Sequence, residues 1–288
     1  MRRNRPTSRA ESQSLSRGQI ILRITVLTFG AFLVFTPVIW TILTSLKTGA
    51  QTLAVPPVWA FVPQFLNYIE VLRLVPFQNY ALNSAIVVGG VVLGTLLSCS
   101  FSAYGFARLR APGRNLVFGL LMATLMLPAV VTLVPTYIAF NQIGWINTFL
   151  PLIIPAFFGS AFFIFLFRQF YMGIPKELEE AARIDGAGYL RIWWTMFLPM
   201  SLPVIATVTV FTFVGTYNDF FGPLIYLTDD SLWTVSVALA SFGGSPRIGP
   251  QLHMLSAATI LAALPSIVVF LMAQRYFTAG ISVAGLNK

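Results

Sequence analysis

An all-α integral membrane protein with six transmembrane helices and both termini on the cytoplasmic side is the fold class that the chain predicts. Three observations point to it. Of 288 residues, 57% are hydrophobic and only 9% are charged, against about 25% charged in soluble domains. The apolar residues collect into six runs, each near the ~20 residues a helix needs to cross a bilayer core. Lysine and arginine are distributed very unevenly between alternate connecting segments, as the positive-inside rule describes.

Residues 1–18 are rich in Arg, Ser and Gln and read as a disordered basic tail. Residues 19–288 read as one six-span domain. The spans fall at 24–46, 82–107, 116–140, 149–167, 198–227 and 254–273. The first is too long for the 7–15-residue core of a cleaved signal. The uncharged stretch from Arg114 to Arg168 is divided at 141–147, which is polar and contains Gly144. With the N-terminus inside, the cytoplasmic segments hold Arg108, Arg110 and Arg114, then Arg168, Lys176, Arg183 and Arg191, and finally Arg275 and Lys288. The tail and its junction add six arginines. Only Lys47, Arg73 and Arg247 fall outside, so fifteen of the eighteen basic residues lie on one side.

The net charge of +9 does not indicate nucleic acid, because the basic residues form no patch interleaved with aromatics. Cys99 and His253 are the sole cysteine and histidine, which leaves almost no ligands for a zinc or haem site. None of the three lysines follows a glycine, so the GxxxxGK[ST] phosphate loop is absent and any ATP must be bound elsewhere.

The segment 173–197, between spans four and five, is the polar exception in an apolar chain. Pro175 suits the first turn of a helix over 176–184. Gly186 can take the left-handed conformation that ends it, and a second short helix follows over 189–197. Two readings fit. Glu177, Glu179, Glu180 and Asp185 could engage an arginine fork of a partner. Alternatively, the segment is an amphipathic interfacial loop anchored by Trp193 and Trp194.

The order Glu180-Ala181-Ala182, three residues, Gly186, nine residues, one residue pair, Leu198-Pro199 resembles the EAA loop of ABC-importer permeases, whose pattern is EAA-x3-G-x9-I-x-LP. Asp185 before the glycine and Ala187 after it also match; Met196 departs, standing where the family usually has Ile. The resemblance implies that this loop forms coupling helices inserted into a cleft of a cytoplasmic ATPase. Glu180 would meet a basic group, Gly186 would supply the bend, and Ala181, Ala182 and Ala187 would allow close packing.

From about Leu27 onward the chain is similar to the maltose-type inner permease of carbohydrate importers. The matching pieces are Ser45-Leu-Lys47, residues 79–84, Ser102-Ala-Tyr-Gly-Phe-Ala107, Leu127-Pro128 with Pro135, and Gln274-Arg-Tyr-Phe277. The tail from Thr278 departs from the common family ending. The resemblance implies a second permease, two ATPase subunits that bind ATP and Mg, and an extracytoplasmic sugar-binding protein. This chain would then be a non-enzymatic transport subunit without its own cofactor, in a bacterial or archaeal cytoplasmic membrane. The expected cargo is a sugar or oligosaccharide. The alternatives are another solute class, such as a polyol, glycerol phosphate or an amino acid, or an ion-coupled secondary transporter.

The last alternative is disfavoured because such transporters place acids or broken half-helices at midplane. Asp219, the one acid within a span, is expected near the outer end of span five. There it reads either as a solvated helix end or, with Tyr217 and Asn218, as polar lining of a sugar path. Pro199, Pro203, Pro223 and Pro265 predict kinks. Gly89, Gly90 and Gly94 predict a close helix contact, by resemblance with the partner permease. The outer loop 228–252 would reach toward the binding protein.

Overall fold

Helix α1 (Arg17–Ser45) opens the computed structural model, which describes residues 17–242 and 251–285. The tail expected over 1–18 therefore lies outside the described residues except for Arg17 and Gly18, which are already helical. No residue of the apolar window of α1 is buried, and the helix touches the rest of the chain mainly through the last helix. A capped turn, α2 (Gly49–Thr52), and the short helix α3 (Leu66–Leu74) lead to α4 (Phe77–Arg108).

Helix α4 is the centre of the fold. It packs along α8 (Ala161–Met172), which is reached through α5 (Arg114–Ala123), α6 (Ala129–Gln142), α7 (Leu150–Ile153) and a 3-10 turn over Ile154–Phe158. The polar segment after α8 forms α9 (Lys176–Ile184), α10 (Tyr189–Ile192), a π-helical turn Trp193–Phe197 and α11 (Leu198–Met200). Then come α12 (Leu202–Tyr217), α13 (Phe221–Tyr226), α14 (Val235–Ser241) and α15 (Leu252–Gly285). No strand occurs among the described residues.

The main core gathers Cys99 and Tyr104 of α4, Phe167 and Tyr171 of α8, Trp193 and Phe197 of the π turn, and Val208 of α12. Tyr104 and Tyr171 each meet the Phe197 ring edge to face, with centroids 4.9 and 5.3 Å away. Aromatic packing of this kind adds to simple area burial. It fixes the π turn to α4 and α8.

Four helical stretches are long and apolar enough to cross a membrane, Gly18–Ser45, Phe77–Arg108, Leu150–Met172 and Leu252–Gln274; two further stretches are bent pairs. The third expected span, 116–140, is not one straight helix. It turns by 101° between Arg114–Met126 and Val130–Gln142. The cause is Pro128, whose ring excludes the helical region for the preceding residue; Leu127 accordingly sits at ψ 119. The fifth, 198–227, is also broken. It bends by 77° between Met200 and Leu202, where Pro199 and Pro203 flank Ser201 and neither can donate a helical hydrogen bond. Its helix then ends at Tyr217, and residues 221–226 form the separate α13.

The glycine expectation also changes. A Cβ on Gly90 would come within 2.8 Å of Ile153, and one on Gly94 within 2.6 Å of Phe157, whereas Gly89 has nothing within 4 Å. The close approach is thus made inside the chain, where the α7 and 3-10 segments lie against α4, and uses two of the three glycines.

Candidate functional site

The segment 173–197 folds as a clasp rather than a loop. Glu177 and Glu179 lie in the first turn of α9, where the helix dipole favours acid. At its end the Ala187 amide donates to the Ala182 carbonyl at 2.9 Å and the Gly186 amide to the Arg183 carbonyl at 3.0 Å. These are the paired bonds of a Schellman cap. They require Gly186 in the left-handed region, at φ +81, with Asp185 as the capping residue.

The clasp is pinned by charge. Arg108, the last residue of α4, has a side chain only 4% exposed. It donates to the carbonyl of Tyr171 at 2.6 Å and also to that of Ile174. Its guanidinium lies over the Phe197 ring, 5.0 Å from the centroid, and 3.9 Å from the Glu179 carboxylate. Glu179 is itself buried and accepts from Arg183 at 2.7 Å. Arg183 in turn covers Tyr189 at 4.4 Å. A buried carboxylate is tolerable only when paired and hydrogen-bonded. One cluster therefore ties α4, α8, α9 and the π turn together.

The residues singled out from the motif separate into two groups. Glu180, Ala181, Asp185 and Gly186 are exposed, whereas Ala182 and Ala187 are half-buried against the main core. The small residues at 182 and 187 therefore let the clasp approach its own spans. Beside Glu180 the clasp also exposes Ile184, at 87%, and Leu190. Sequence reading missed the role of Arg108, and offered Glu179 to a partner's arginine rather than to this chain's own Arg108 and Arg183. The Glu179–Arg183 pair was available from its i,i+4 spacing, but nothing local marks Arg108 as its second partner.

At the other end of α12, Tyr217 and Asn218 share a cavity of about 400 Å³ with Phe220, Ser236, Thr259 and Ser266. The Tyr217 hydroxyl donates to the Ala262 carbonyl at 2.9 Å, and its ring stacks on Phe213. Asn218 is exposed and donates back to the Val214 carbonyl. Asp219 is not brought to this cavity. It lines a separate one of about 250 Å³ with Thr216, Leu152 and Val87, and its carboxylate accepts the Gly222 amide at 3.2 Å. That bond starts α13, a local capping role.

The loops beside this end are held by side-chain amides. Asn147, at φ 62, accepts the amides of Thr228 and Asp229 at 3.0 and 2.9 Å. Asn83 donates to the carbonyls of Ser231 and Trp233, and Ser84 accepts the Val235 amide. Ser231 holds the Asp229 carboxyl below the usual carboxylate range by hydrogen bonding to it. Residues 243–250 of the expected outer loop, and 286–288 of the variant tail, lie outside the described residues. Lys47 is buried and faces Trp40, Trp59 and Phe61 at 5.3, 5.9 and 5.3 Å, the arrangement of a cation–π cage. Among the described residues no cluster of three His, Cys, Asp or Glu could hold a metal.

An apolar helical bundle with broken spans and a polar clasp at one end defines a membrane transport component of the permease class. Residues 90–283 match the family model described as binding-protein-dependent transport system inner membrane component, and the chain belongs to that family. It is a multi-pass protein of the cytoplasmic membrane. It is 36% identical over 206 residues to the sn-glycerol-3-phosphate transport system permease protein UgpE of Yersinia pestis bv. Antiqua (strain Antiqua), covering 72% of this chain and 73% of the relative. Against the melibiose/raffinose/stachyose import permease protein MelC of Bacillus subtilis (strain 168) it is 35% identical over 223 residues, 76% and 79% of the two chains. Against the diacetylchitobiose uptake system permease protein NgcG of Streptomyces coelicolor it is 30% identical over 251 residues, 87% and 83%. The fold is also that of a chain from a bacterial ABC transporter involved in the import of the acidic polysaccharide alginate, with TM-score 0.80 at 23% identity, covering 91% of this chain and 99% of that one.

Proposed function

We propose that this chain is one permease subunit of an ABC importer for an oligosaccharide or a related polyhydroxylated solute such as glycerol phosphate. It works with a second permease, an extracytoplasmic binding protein and two ATPase subunits, which bind the ATP and Mg that this chain has no phosphate loop to hold. The exposed Glu180 and Ile184 on the pinned clasp are the observation that supports ATPase docking: a charge and an apolar residue protrude from an element rigidly joined to the spans. Both termini and residues 173–197 face the cytoplasm in this reading, which the lysine and arginine asymmetry supports. Residues 19–288 form the permease domain, and residues 1–18 a basic tail.

The solute class is supported by the relatives that act on melibiose, raffinose, stachyose, diacetylchitobiose and sn-glycerol-3-phosphate. It is also supported by the cavity at Tyr217 and Asn218, which combines an aromatic ring, an amide and hydroxyls. In proteoliposomes with the partner subunits, Glu180→Arg places like charge against the basic docking group. It should abolish the stimulation of ATP hydrolysis by loaded binding protein while leaving the permease folded. Stimulation equal to wild type would refute docking at Glu180. Uptake that persists without the ATPases but collapses with the proton gradient would refute the importer.

A further inference from the structure

Beside the clasp lies a cleft of about 660 Å³ between the α4–α5 connection and α9. Its walls carry five cations, Arg108, Arg110, Arg114, Lys176 and Arg183, against the two carboxylates of Glu179 and Glu180. Glu179 is already paired with Arg183 and Arg108, so the remaining wall is strongly positive. The buried Arg108 leaves its Nε without a hydrogen-bond partner. Arg114 uses one nitrogen on the Leu109 carbonyl, and Arg110 is exposed.

A second groove of about 500 Å³ shares Arg110 and Arg114 and runs to Leu116. There the surface changes character within one helical turn: Leu116, Val117 and Leu120 of α5 are 69%, 53% and 61% exposed. Cations at the head of a groove with an apolar strip below match an amphiphile with an anionic head. A docked acidic protein segment would need polar surface where the strip lies. Basic pockets at the cytoplasmic ends of membrane helices suit anionic headgroups for this reason, and arginine is the preferred phosphate partner.

We propose that this cleft binds the phosphate of an anionic phospholipid, held by Arg110, Arg114 and Lys176 with its acyl chains along Leu116, Val117 and Leu120. The inference rests on the functional reading above only in placing this end at the inner leaflet. Bound lipid would brace the α4–α5 connection against the clasp and make coupling sensitive to membrane composition.

The test uses the purified transporter with its partner subunits in detergent, titrated with dioctanoyl phosphatidylglycerol, dioctanoyl phosphatidylcholine and inorganic phosphate. Phosphatidylglycerol should bind saturably and phosphatidylcholine at least about tenfold more weakly, a difference supplied by the electrostatic attraction. Arg110→Gln with Arg114→Gln should lower phosphatidylglycerol affinity by roughly 30-fold, and the double lysine variant should retain most of it. If the double glutamine variant fails to assemble, Arg110→Gln alone should show a loss of roughly fivefold. Equal binding of the two lipids, or no effect of the glutamine variants, overturns the proposal. Complete competition by inorganic phosphate would assign the site to free phosphate instead. Lipid binding that appears only after the ATPase subunits are stripped from the complex would assign the site to protein docking. Lipid binding lost while Glu180-dependent stimulation persists marks failure of this site alone, because Glu180 reports ATPase docking independently.

Discussion

The two ends of the molecule handle polar groups in opposite ways. At the clasp, Arg108 and Glu179 are buried and meet across helices distant in sequence, so charge pairing sets the position of a whole segment. At the Tyr217–Asp219 end, Asn218 bonds its own helix, Asp219 starts the next one, and Asn147 ties a loop. There the polar side chains satisfy backbone groups, nearby for Asn218 and Asp219 and distant in sequence for Asn147 and Asn83, without pairing charges. The difference fits two mechanical tasks. On the proposed function the clasp transmits displacement without yielding while the other end rearranges, which suits contacts that are individually weak there.

The largest effect should come from Arg108→Ala. It takes the inner cation from the buried Glu179 carboxylate, which keeps only the part-exposed Arg183, and removes the side-chain donor from the Tyr171 and Ile174 carbonyls. Removing one partner of a buried pair costs about 3–5 kcal/mol, so thermal unfolding of the detergent-solubilised protein should drop sharply. An unchanged midpoint would mean that the cluster does not pin the clasp. Gly186→Val comes next, forcing a β-branched residue to φ +81 at a cost of about 1–2 kcal/mol. The subunit should still fold, but the Schellman turn should open and solute transported per ATP hydrolysed should fall. A normal ratio would show that the turn's geometry does not matter to coupling. The smallest effect should come from Asp219→Asn, which keeps the acceptor for the Gly222 amide. Transport should stay within about a factor of two of wild type, as for other locally satisfied positions. A tenfold loss would place the charge itself in the solute path and erase the contrast between the two ends.

The features legible in the sequence are those written along one strand of it. The six span positions follow from run length and the polar break at 141–147, although two of the six spans prove bent. The kinks were foreseeable at Pro199 and Pro203, and Leu127-Pro128 was noted, but the magnitude of a bend depends on what packs into it. Gly186 was legible because a left-handed cap is a local demand. The separation of Asp219 from Tyr217 and Asn218 was not, because neighbours in sequence at a helix end point in different directions. Ala182 and Ala187 looked like docking surface; their partners, the core formed around Phe197 and Tyr171, come from three other helices.

Hydrophobic run length, the fifteen-to-three charge asymmetry and the spaced Glu-Ala-Ala, Gly and Leu-Pro motif determined the class of protein without coordinates, because insertion into a bilayer and short helical caps depend on contiguous residues. Only the tertiary structure decided which acid is buried and which is offered outward. Glu179 and Glu180 are adjacent and chemically identical, and the phase of α9 against Arg108 makes one a structural pin and leaves the other free to meet a partner.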